Sequence, residues 1–288
     1  MTRPRSATPR LLVVDGYTAA GRRELSASGA SEAWQLFLRV LETLAPEAKI
    51  DVAFPADADD ALPEGVALSD YDGALWTGSS LTIYHHEHDP HVSRQVVLAR
   101  ALLDAGVPCY GSCWAAQVAV TACGGACARS PRGLEFGIIP DLTLTSSGRD
   151  HPLYRGKPAR FSSFAIHFDE VVDLAQATHL AHNAHSRVQA VAVARGGTPF
   201  WATQYHPEYD LYELARLANL RRGLLLAGGL FPDDAAIDRY VAALDELHRD
   251  PDDHALAQRL GVDETLLDPR LRWREFQNWL EEHILPRA

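Results

Sequence analysis

The sequence predicts an α/β protein whose core is a mostly parallel, doubly wound sheet flanked by helices. Short apolar runs alternate with amphipathic segments of helical length between residues 11 and 122, as in parallel strands joined by crossover helices. Between residues 132 and 200 the runs become short and β-rich, with Gly and Pro between them, which predicts a small antiparallel addition. Beyond Phe231, amphipathic segments predict a helical C-terminal extension.

The parallel part follows from its elements in chain order. The apolar run LLVVDGY (11–17) predicts a central strand, and a polar loop is expected after it. Helical spacing of apolar residues predicts a helix at 31–45, with Ser31 as its N-cap, and another at 91–105. Further strands are expected at KIDVAF (49–54), YDGALWTGS (71–79) and GVPCY (106–110). The loops at the carboxyl ends of such strands carry function.

These segments divide the chain into a disordered lead-in at residues 1–10, a main domain at 11–230 and a helical extension at 231–288. A helix at 209–227 is expected to close the main domain. The extension carries large apolar residues at helical spacing, among them Tyr240 and Phe276. We expect these faces to pack back on the domain, and the alternative is a homodimer or partner surface.

Composition narrows the class of protein. A formal net charge of -11 gives no support for a nucleic-acid or anionic-membrane partner, and no segment approaches the roughly 20 apolar residues of a membrane span. No signal peptide is expected. The cysteines at positions 109, 113, 123 and 127 match neither a zinc pair nor a disulfide framework. We therefore expect a cytoplasmic protein with free thiols, without a metal or a cofactor.

The segment GSCWAAQ (111–117) lies between a predicted strand and a predicted helix. A nucleophile between small residues at such a junction forms an elbow, with the nucleophile at the tip. Cys113 is the candidate nucleophile, since the positive end of the helix dipole stabilises a thiolate there.

A second segment, FWATQYHPEYD (200–210), carries His206 and Glu208 two residues apart. On an extended strand their side chains leave the same face, while Pro207 points away and indicates a strand end. A thiol, a base and a carboxylate that orients the base can be assembled from Cys113, His206 and Glu208.

Together these segments resemble the class I (triad) glutamine amidotransferases, and among them free-standing proteins similar to the glutaminase domain of GMP synthase. The family's G-x-C-x-G-x-Q elbow appears as GSCWAAQ and its Q-x-H-P-E segment as QYHPE. Its intervening E-x-G, H-x-D-x-V and glycine-turn patterns match EFG (135–137), HFDEV (167–171) and TGS (77–79). The resemblance spans about residues 10–230 and implies a flavodoxin-like sheet. It departs at Ala115, which replaces the second elbow glycine.

The resemblance implies hydrolysis of the glutamine side-chain amide through a thioester on Cys113, with His206 as the proton carrier and Glu208 holding the imidazole. By position, the oxyanion is expected to accept hydrogen bonds from backbone N–H groups of Gly78, Ser79 and Trp114. The resemblance also assigns substrate binding to Gln117, Glu135, His167, Phe168 and Asp169. Arg132 lies near this group in sequence and is a weaker candidate for the α-carboxylate.

Three functions stay open. The first is a glutaminase that supplies ammonia to a separate synthetase subunit, because no synthetase segment or phosphate loop follows Ala227. The second is a stand-alone cysteine hydrolase of γ-glutamyl amides or peptides. The third is a non-catalytic scaffold that binds a partner through the C-terminal helices, which the presence of all three triad residues argues against.

Two histidine-rich segments offer metal ligands at first sight. In HHEHDPH (85–91), Pro90 prevents the histidines from sharing one helical face, and we expect a lid loop over the site. In HLAHNAH (179–185) the spacing does not place the histidines on one face of a strand, and we expect a solvated loop.

Overall fold

A computed structural model of the chain describes residues 8–57 and 62–285. Most of the predicted lead-in, residues 1–7, lies outside the described residues, and the first strand already begins at Arg10. The strands are β1 (Arg10–Val14), β2 (Lys49–Ala53), β3 (Gly73–Trp76), β4 (Cys109–Ser112), β5 (Ala126–Arg129), β6 (Glu135–Leu144), β7 (Arg160–His167), β8 (Asp169–Asp173), β9 (Thr178–His182), β10 (Ala190–Arg195) and β11 (Thr198–Thr203). The helices are α1 (Ala19–Ala27), α2 (Ala33–Leu44), α3 (Pro90–Asp104), α4 (Trp114–Ala122), α5 (Ser146–Asp150), α6 (Leu211–Leu220), α7 (Arg222–Ala227), α8 (Asp234–Arg249), α9 (His254–Leu260), α10 (Glu264–Leu267), α11 (Pro269–Arg272) and α12 (Arg274–His283).

The predicted α/β fold is confirmed. Within the described residues, one sheet has the order β2-β1-β3-β4-β11-β10-β9-β6-β7. Its first five strands pair in parallel, and β10, β9, β6 and β7 extend the same sheet with antiparallel pairs. The strands β5 and β8 form a separate two-stranded antiparallel sheet. The antiparallel addition is therefore mostly a continuation of the main sheet.

Both faces of the parallel half are covered by helices, as the apolar run in β1 predicts. Leu12 and Val14 pack in a cluster with residues of α3 and α4. Leu11 and Val13, on the opposite face, pack with residues of α2 and α12. Because successive side chains of a strand point to opposite faces of the sheet, alternate residues of the run LLVV pack in two different cores.

The C-terminal helices are present and α12 packs against the main domain. Phe276 lies in edge contact with Tyr110 and Phe37, with ring centroids 4.8 Å and 5.1 Å apart, and Trp279 is fully buried. We expected the apolar face of the C-terminal extension to pack on the main domain, and α12 does so. Over the described residues, no helix combines the length and the hydropathy needed to cross a membrane.

Four local predictions were wrong. The polar stretch after β1 forms α1, with Thr18 accepting a hydrogen bond from Gly21 N as its cap. Ser31 is not an N-cap, since α2 begins at Ala33 and the Ser31 N–H donates to Glu213. The helix expected at 209–227 is divided into α6 and α7 by a break at Arg221. Residues 178–182 form β9 and not a solvated loop, because Leu180 and Ala181 are buried.

Candidate active site

Cys113 occupies the sharp junction between β4 and α4. Its backbone has φ 54° and ψ −98°, in the region that L residues rarely adopt, and its N–H donates to the carbonyl of Thr203 at 2.6 Å. Tight packing holds this geometry, since a Cβ on Gly111 would lie 2.1 Å from the Trp76 carbonyl oxygen and 2.5 Å from Ala115 Cβ. The methyl group of Ala115 therefore fits because Gly111 opposite it has no side chain.

The sheet brings the second segment beside this elbow. β11 pairs in parallel with β4, in a register that sets Thr203 against Ser112, so the chain enters QYHPE at the level of the elbow. His206 Nδ1 lies 2.7 Å from Glu208 Oε1, and both side chains are buried. The imidazole stacks on Tyr209, with ring centroids 4.0 Å apart and planes 8° from parallel. The base is thus held on one edge by a carboxylate and on one face by a ring.

The other edge of the imidazole faces the thiol. His206 Nε2 has no hydrogen-bond partner among the described residues. A Cβ placed on Gly78 would lie 3.1 Å from His206 Cε1 and 3.8 Å from Cys113 Cβ, so this glycine lies against both groups. Burial alone would lower the pKa of His206, but the charges of Glu208 and of the Cys113 thiolate raise it to about 10. The site therefore favours the imidazolium form of His206.

Cys113 opens on a cavity of about 260 Å³. Its sulfur lies 3.5 Å from Gln204 Nε2 and 3.7 Å from the carbonyl oxygen of Ile166. The polar and charged part of the lining comprises Ser79, Ser80, Thr82, Gln117, Arg129, His167 and Asp169. The apolar part comprises Leu81, Leu134, Ile166, Phe168, Leu217 and Leu224, with Tyr17 and Arg221 beside it.

The structure places four of the expected binding residues on this lining, namely Gln117, His167, Phe168 and Asp169, together with Ser79, an expected oxyanion donor. Glu135 lies behind it, and its carboxylate accepts hydrogen bonds from His167, Asn183 and Gln189 at 2.8, 2.5 and 2.7 Å. The indole of Trp114 points away and donates to Gln95 Oε1 at 2.7 Å, so only the Trp114 backbone belongs to the site. The segment 79–82 borders the cavity, whereas none of the described residues of the expected lid at 85–91 lies on its lining.

Arg132, the weaker α-carboxylate candidate, does not line the cavity and instead donates to the carbonyl of His185. Arg129 does line the cavity, with its guanidinium 4.4 Å from the centre of the Phe168 ring. Arg129 was not predicted because it lies only three residues from Arg132, and the sequence alone does not show which of the two side chains faces the cavity without the pairing of β5 with β8. Within the described residues no group of three potential metal ligands occurs, including at the histidine-rich segments.

Ser112 was also missed. Its hydroxyl is buried and donates at 2.7 Å to Glu208 Oε1, the same oxygen that meets His206. The only sequence signal for Ser112 is its position directly before the nucleophile. Because neighbouring side chains at a strand end point in opposite directions, Ser112 points away from Cys113.

A buried polar network lies behind His206. Tyr205, the preceding residue, donates to Glu275 Oε1 of α12 at 2.7 Å, and its hydroxyl lies 2.9 Å from that of Tyr154. Lys157 Nζ lies 2.5 and 2.6 Å from the two carboxylate oxygens of Glu275. These contacts connect the C-terminal extension to the segment that carries the base.

Comparison with known proteins agrees with this geometry. The model of the Glutamine amidotransferase class-I family matches residues 54–218. The chain belongs to this family. A γ-glutamyl-L-1-hydroxyisopropylamide hydrolase from a Pseudomonas species is 28% identical over 284 residues, which cover 97% of this amidotransferase-family chain and 94% of that protein.

A glutamine-hydrolyzing GMP synthase from Thermotoga sp. (strain RQ2) is 30% identical over 158 residues, which cover 55% of this chain and only 27% of the synthase. A solved glutamine amidotransferase from Thermotoga maritima superposes with a TM-score of 0.62 at 17% identity, and the match covers 88% of this chain and 99% of that one. The structural similarity shows that the amidotransferase fold is shared, and the predicted family is confirmed.

Proposed function

We propose that this chain is a cysteine hydrolase of γ-glutamyl amides that works through a thioester on Cys113. The observation that carries the proposal is the arrangement of the thiol, a buried imidazole and a buried carboxylate at adjacent strand ends, with the thiol open to a cavity. This is the set of groups that covalent amide hydrolysis requires.

The reaction begins when the Cys113 sulfur attacks the amide carbonyl carbon. Any proton on the thiol passes to His206 Nε2, and Glu208 stabilises the imidazolium at Nδ1. The C–N bond then breaks as His206 gives a proton to the departing nitrogen, which leaves an acyl thioester. Water attacks the thioester with His206 as base, and glutamate leaves as the sulfur recovers its electron pair.

The tetrahedral oxyanion needs donors that are fixed before the reaction. Trp114 is the first residue of α4, so its N–H has no partner within the helix and points toward the elbow. The backbone at Gly78 and Ser79 lies on the opposite side, against His206 and Cys113. Each such donor contributes on the order of a hundredfold in rate.

Charged groups on the lining suit the amino-acid end of a γ-glutamyl substrate. Arg129 matches an α-carboxylate and Asp169 an α-ammonium group, while Gln117 adds a neutral amide to the same lining. Glu135 supports this wall from behind by holding the ring of His167. The substrate is therefore bound by its ends and its carbonyl is presented to the sulfur.

The hydrolase proposal is supported by similarity over almost the whole chain to a protein named for γ-glutamyl amide hydrolysis, including the C-terminal extension. The second candidate is a glutaminase that delivers ammonia to a separate synthetase subunit. It is favoured by the similarity to GMP synthases, which covers about half of this chain.

The test incubates the purified chain with glutamine and with γ-glutamyl amides and follows the release of glutamate. We expect Cys113-dependent hydrolysis and an acyl-enzyme mass increment, both absent in Cys113→Ala. Arg129→Met should raise KM with little change in kcat, whereas the matched Arg132→Met should leave both unchanged. Glutamate release only after a synthetase is added supports the second candidate, and hydrolysis by Cys113→Ala contradicts both.

A further inference from the structure

The cavity has a second wall that the proposed reaction does not use. His206 protonates the departing nitrogen, so a substituent on that nitrogen must extend to the imidazole side of the cavity. Tyr17, Leu134 and Leu217 line the cavity and belong to the same apolar cluster as Tyr209, whose ring stacks on His206. The apolar wall thus belongs to the same packed cluster as the ring that stacks on the imidazole.

Leu224 completes this wall from α7, which exists as a separate helix because the chain breaks at Arg221. Leu224 is 44% exposed, so its side chain is open to a bound molecule. Ammonia, the leaving group of glutamine, would contact none of these side chains. A leaving amine with carbon substituents would cover them.

The one cation on this wall is already paired among the described residues. Arg221 Nη1 lies 3.1 and 3.2 Å from the two carboxylate oxygens of Glu24 in α1. This arrangement differs from the amino-acid end, where Arg129 and Asp169 both face the cavity. A leaving group that carries a carboxylate, as in a γ-glutamyl peptide, would have to compete with Glu24 for Arg221.

From this wall we infer that the leaving-group side selects an uncharged alkylamine, and that Glu24 excludes amines that carry a carboxylate by occupying Arg221. The inference rests on the proposed function and specifies its substrate class. The wall acts on specificity only, since none of its residues contacts the imidazole nitrogens or the sulfur in the hydrogen bonds of the site.

The test measures kcat/KM for three substrates that differ only in the leaving group: glutamine, γ-glutamylisopropylamide and γ-glutamylglycine. We expect the isopropylamide to exceed glutamine by roughly tenfold or more, since one methylene in an apolar pocket is worth about that factor. Leu224→Ala should lower the value for the isopropylamide several-fold and leave glutamine unchanged. Leu230→Ala, an equally exposed leucine that does not border the cavity, should change neither.

A separate variant tests the role of Glu24. Glu24→Gln frees Arg221, and we expect kcat/KM for γ-glutamylglycine to rise by roughly two- to fivefold, the size that an exposed ion pair allows. The matched control is Asp234→Asn, which removes a partner of the neighbouring Arg222 away from the cavity.

Three outcomes overturn the inference while the proposed function stands: glutamine hydrolysed as well as the isopropylamide, γ-glutamylglycine preferred by the unmodified chain, or Leu224→Ala slowing glutamine and isopropylamide equally. Absence of Cys113-dependent cleavage of all three substrates instead contradicts the proposed function, and the inference with it.

Discussion

Lys157 and Glu275 form an ion pair away from water, and replacing one partner should be far more damaging than replacing both. Their side chains are 4% and 0% exposed, and the ammonium lies 2.5 Å from the nearer carboxylate oxygen. Burial lowers the pKa of Lys157, which the charge of Glu275 opposes. Lys157→Met leaves the Glu275 carboxylate buried without its counter-ion, with Tyr205 as its remaining donor.

The magnitude follows from that burial. Breaking a buried pair by removing one partner costs about 3–5 kcal/mol in the free energy of unfolding, whereas an apolar replacement of both partners is close to neutral. We therefore expect Lys157→Met to lower Tm by roughly 10 °C, given about 2–4 °C per kcal/mol for a chain of this size. The double variant Lys157→Met/Glu275→Leu should recover most of this loss, less about 1 kcal/mol for the hydrogen bond of Tyr205.

The assay is urea unfolding followed by circular dichroism, with thermal melts in parallel. The control is Arg195→Met, which breaks the Arg195–Asp104 pair at 2.6 Å, where the side chains are 43% and 55% exposed. Removal of such an exposed pair should have little effect on stability, because solvent screens the two charges. A loss of stability in Lys157→Met no larger than in this control, or a double variant as unstable as the single one, would show that burial of the pair does not determine its effect.

The remaining predictions concern the site and pH. Cys113→Gly should be more stable than the equally inactive Cys113→Ala by about 1 kcal/mol, because glycine adopts φ 54° without strain. Ser112→Ala should lower kcat by roughly tenfold with KM unchanged, since it removes a charge-assisted hydrogen bond to Glu208. Burial raises the pKa of Glu213 from 4.5 to about 7, so the folded chain binds a proton more tightly than the unfolded chain. The free energy of unfolding should therefore fall by roughly 2–3 kcal/mol as pH rises from 4.5 through 7. Glu213→Gln should remove this fall.

Each of these has a contradicting result. Equal unfolding free energies for the two Cys113 variants would show that the elbow is not strained. For Ser112, a parallel rise in KM would indicate a disturbed pocket, and Ser112→Thr, which keeps the hydroxyl, should retain more activity than Ser112→Ala. A slope of stability against pH that is identical in Glu213→Gln and in the unmodified chain would rule out Glu213 as its source.

The parallel half of the fold was predictable because its signals are local. The run LLVV and the apolar spacing within α2 show directly which residues are buried and in which type of element. α1 escaped detection because Leu25 is its single buried residue, so almost no apolar period exists to read. Gly223 lies two residues after the break at Arg221, but a single glycine is tolerated within a helix and does not by itself predict a division into two helices.

The site divides in the same way. Cys113, His206 and Glu208 belong to short motifs whose residue spacing indicates a nucleophile, a base and a carboxylate, so they could be proposed from the sequence. Ser112 and Arg129 act through pairing between strands that are distant along the chain, which no local pattern encodes. The ion pair of Lys157 with Glu275 of α12 could not be predicted for the same reason, since the two residues are 118 positions apart.

Tyr205 and His206 are neighbours in the chain, yet one side chain reaches α12 and the other faces the thiol. Damage to the far side of the molecule can therefore reach the imidazole through a single peptide unit, without altering any group that meets the substrate. In a scan of random variants, inactive clones should accordingly map to two separate surfaces. Those on the α12 side should regain turnover when the temperature is lowered, whereas those at the sulfur should stay inactive at every temperature.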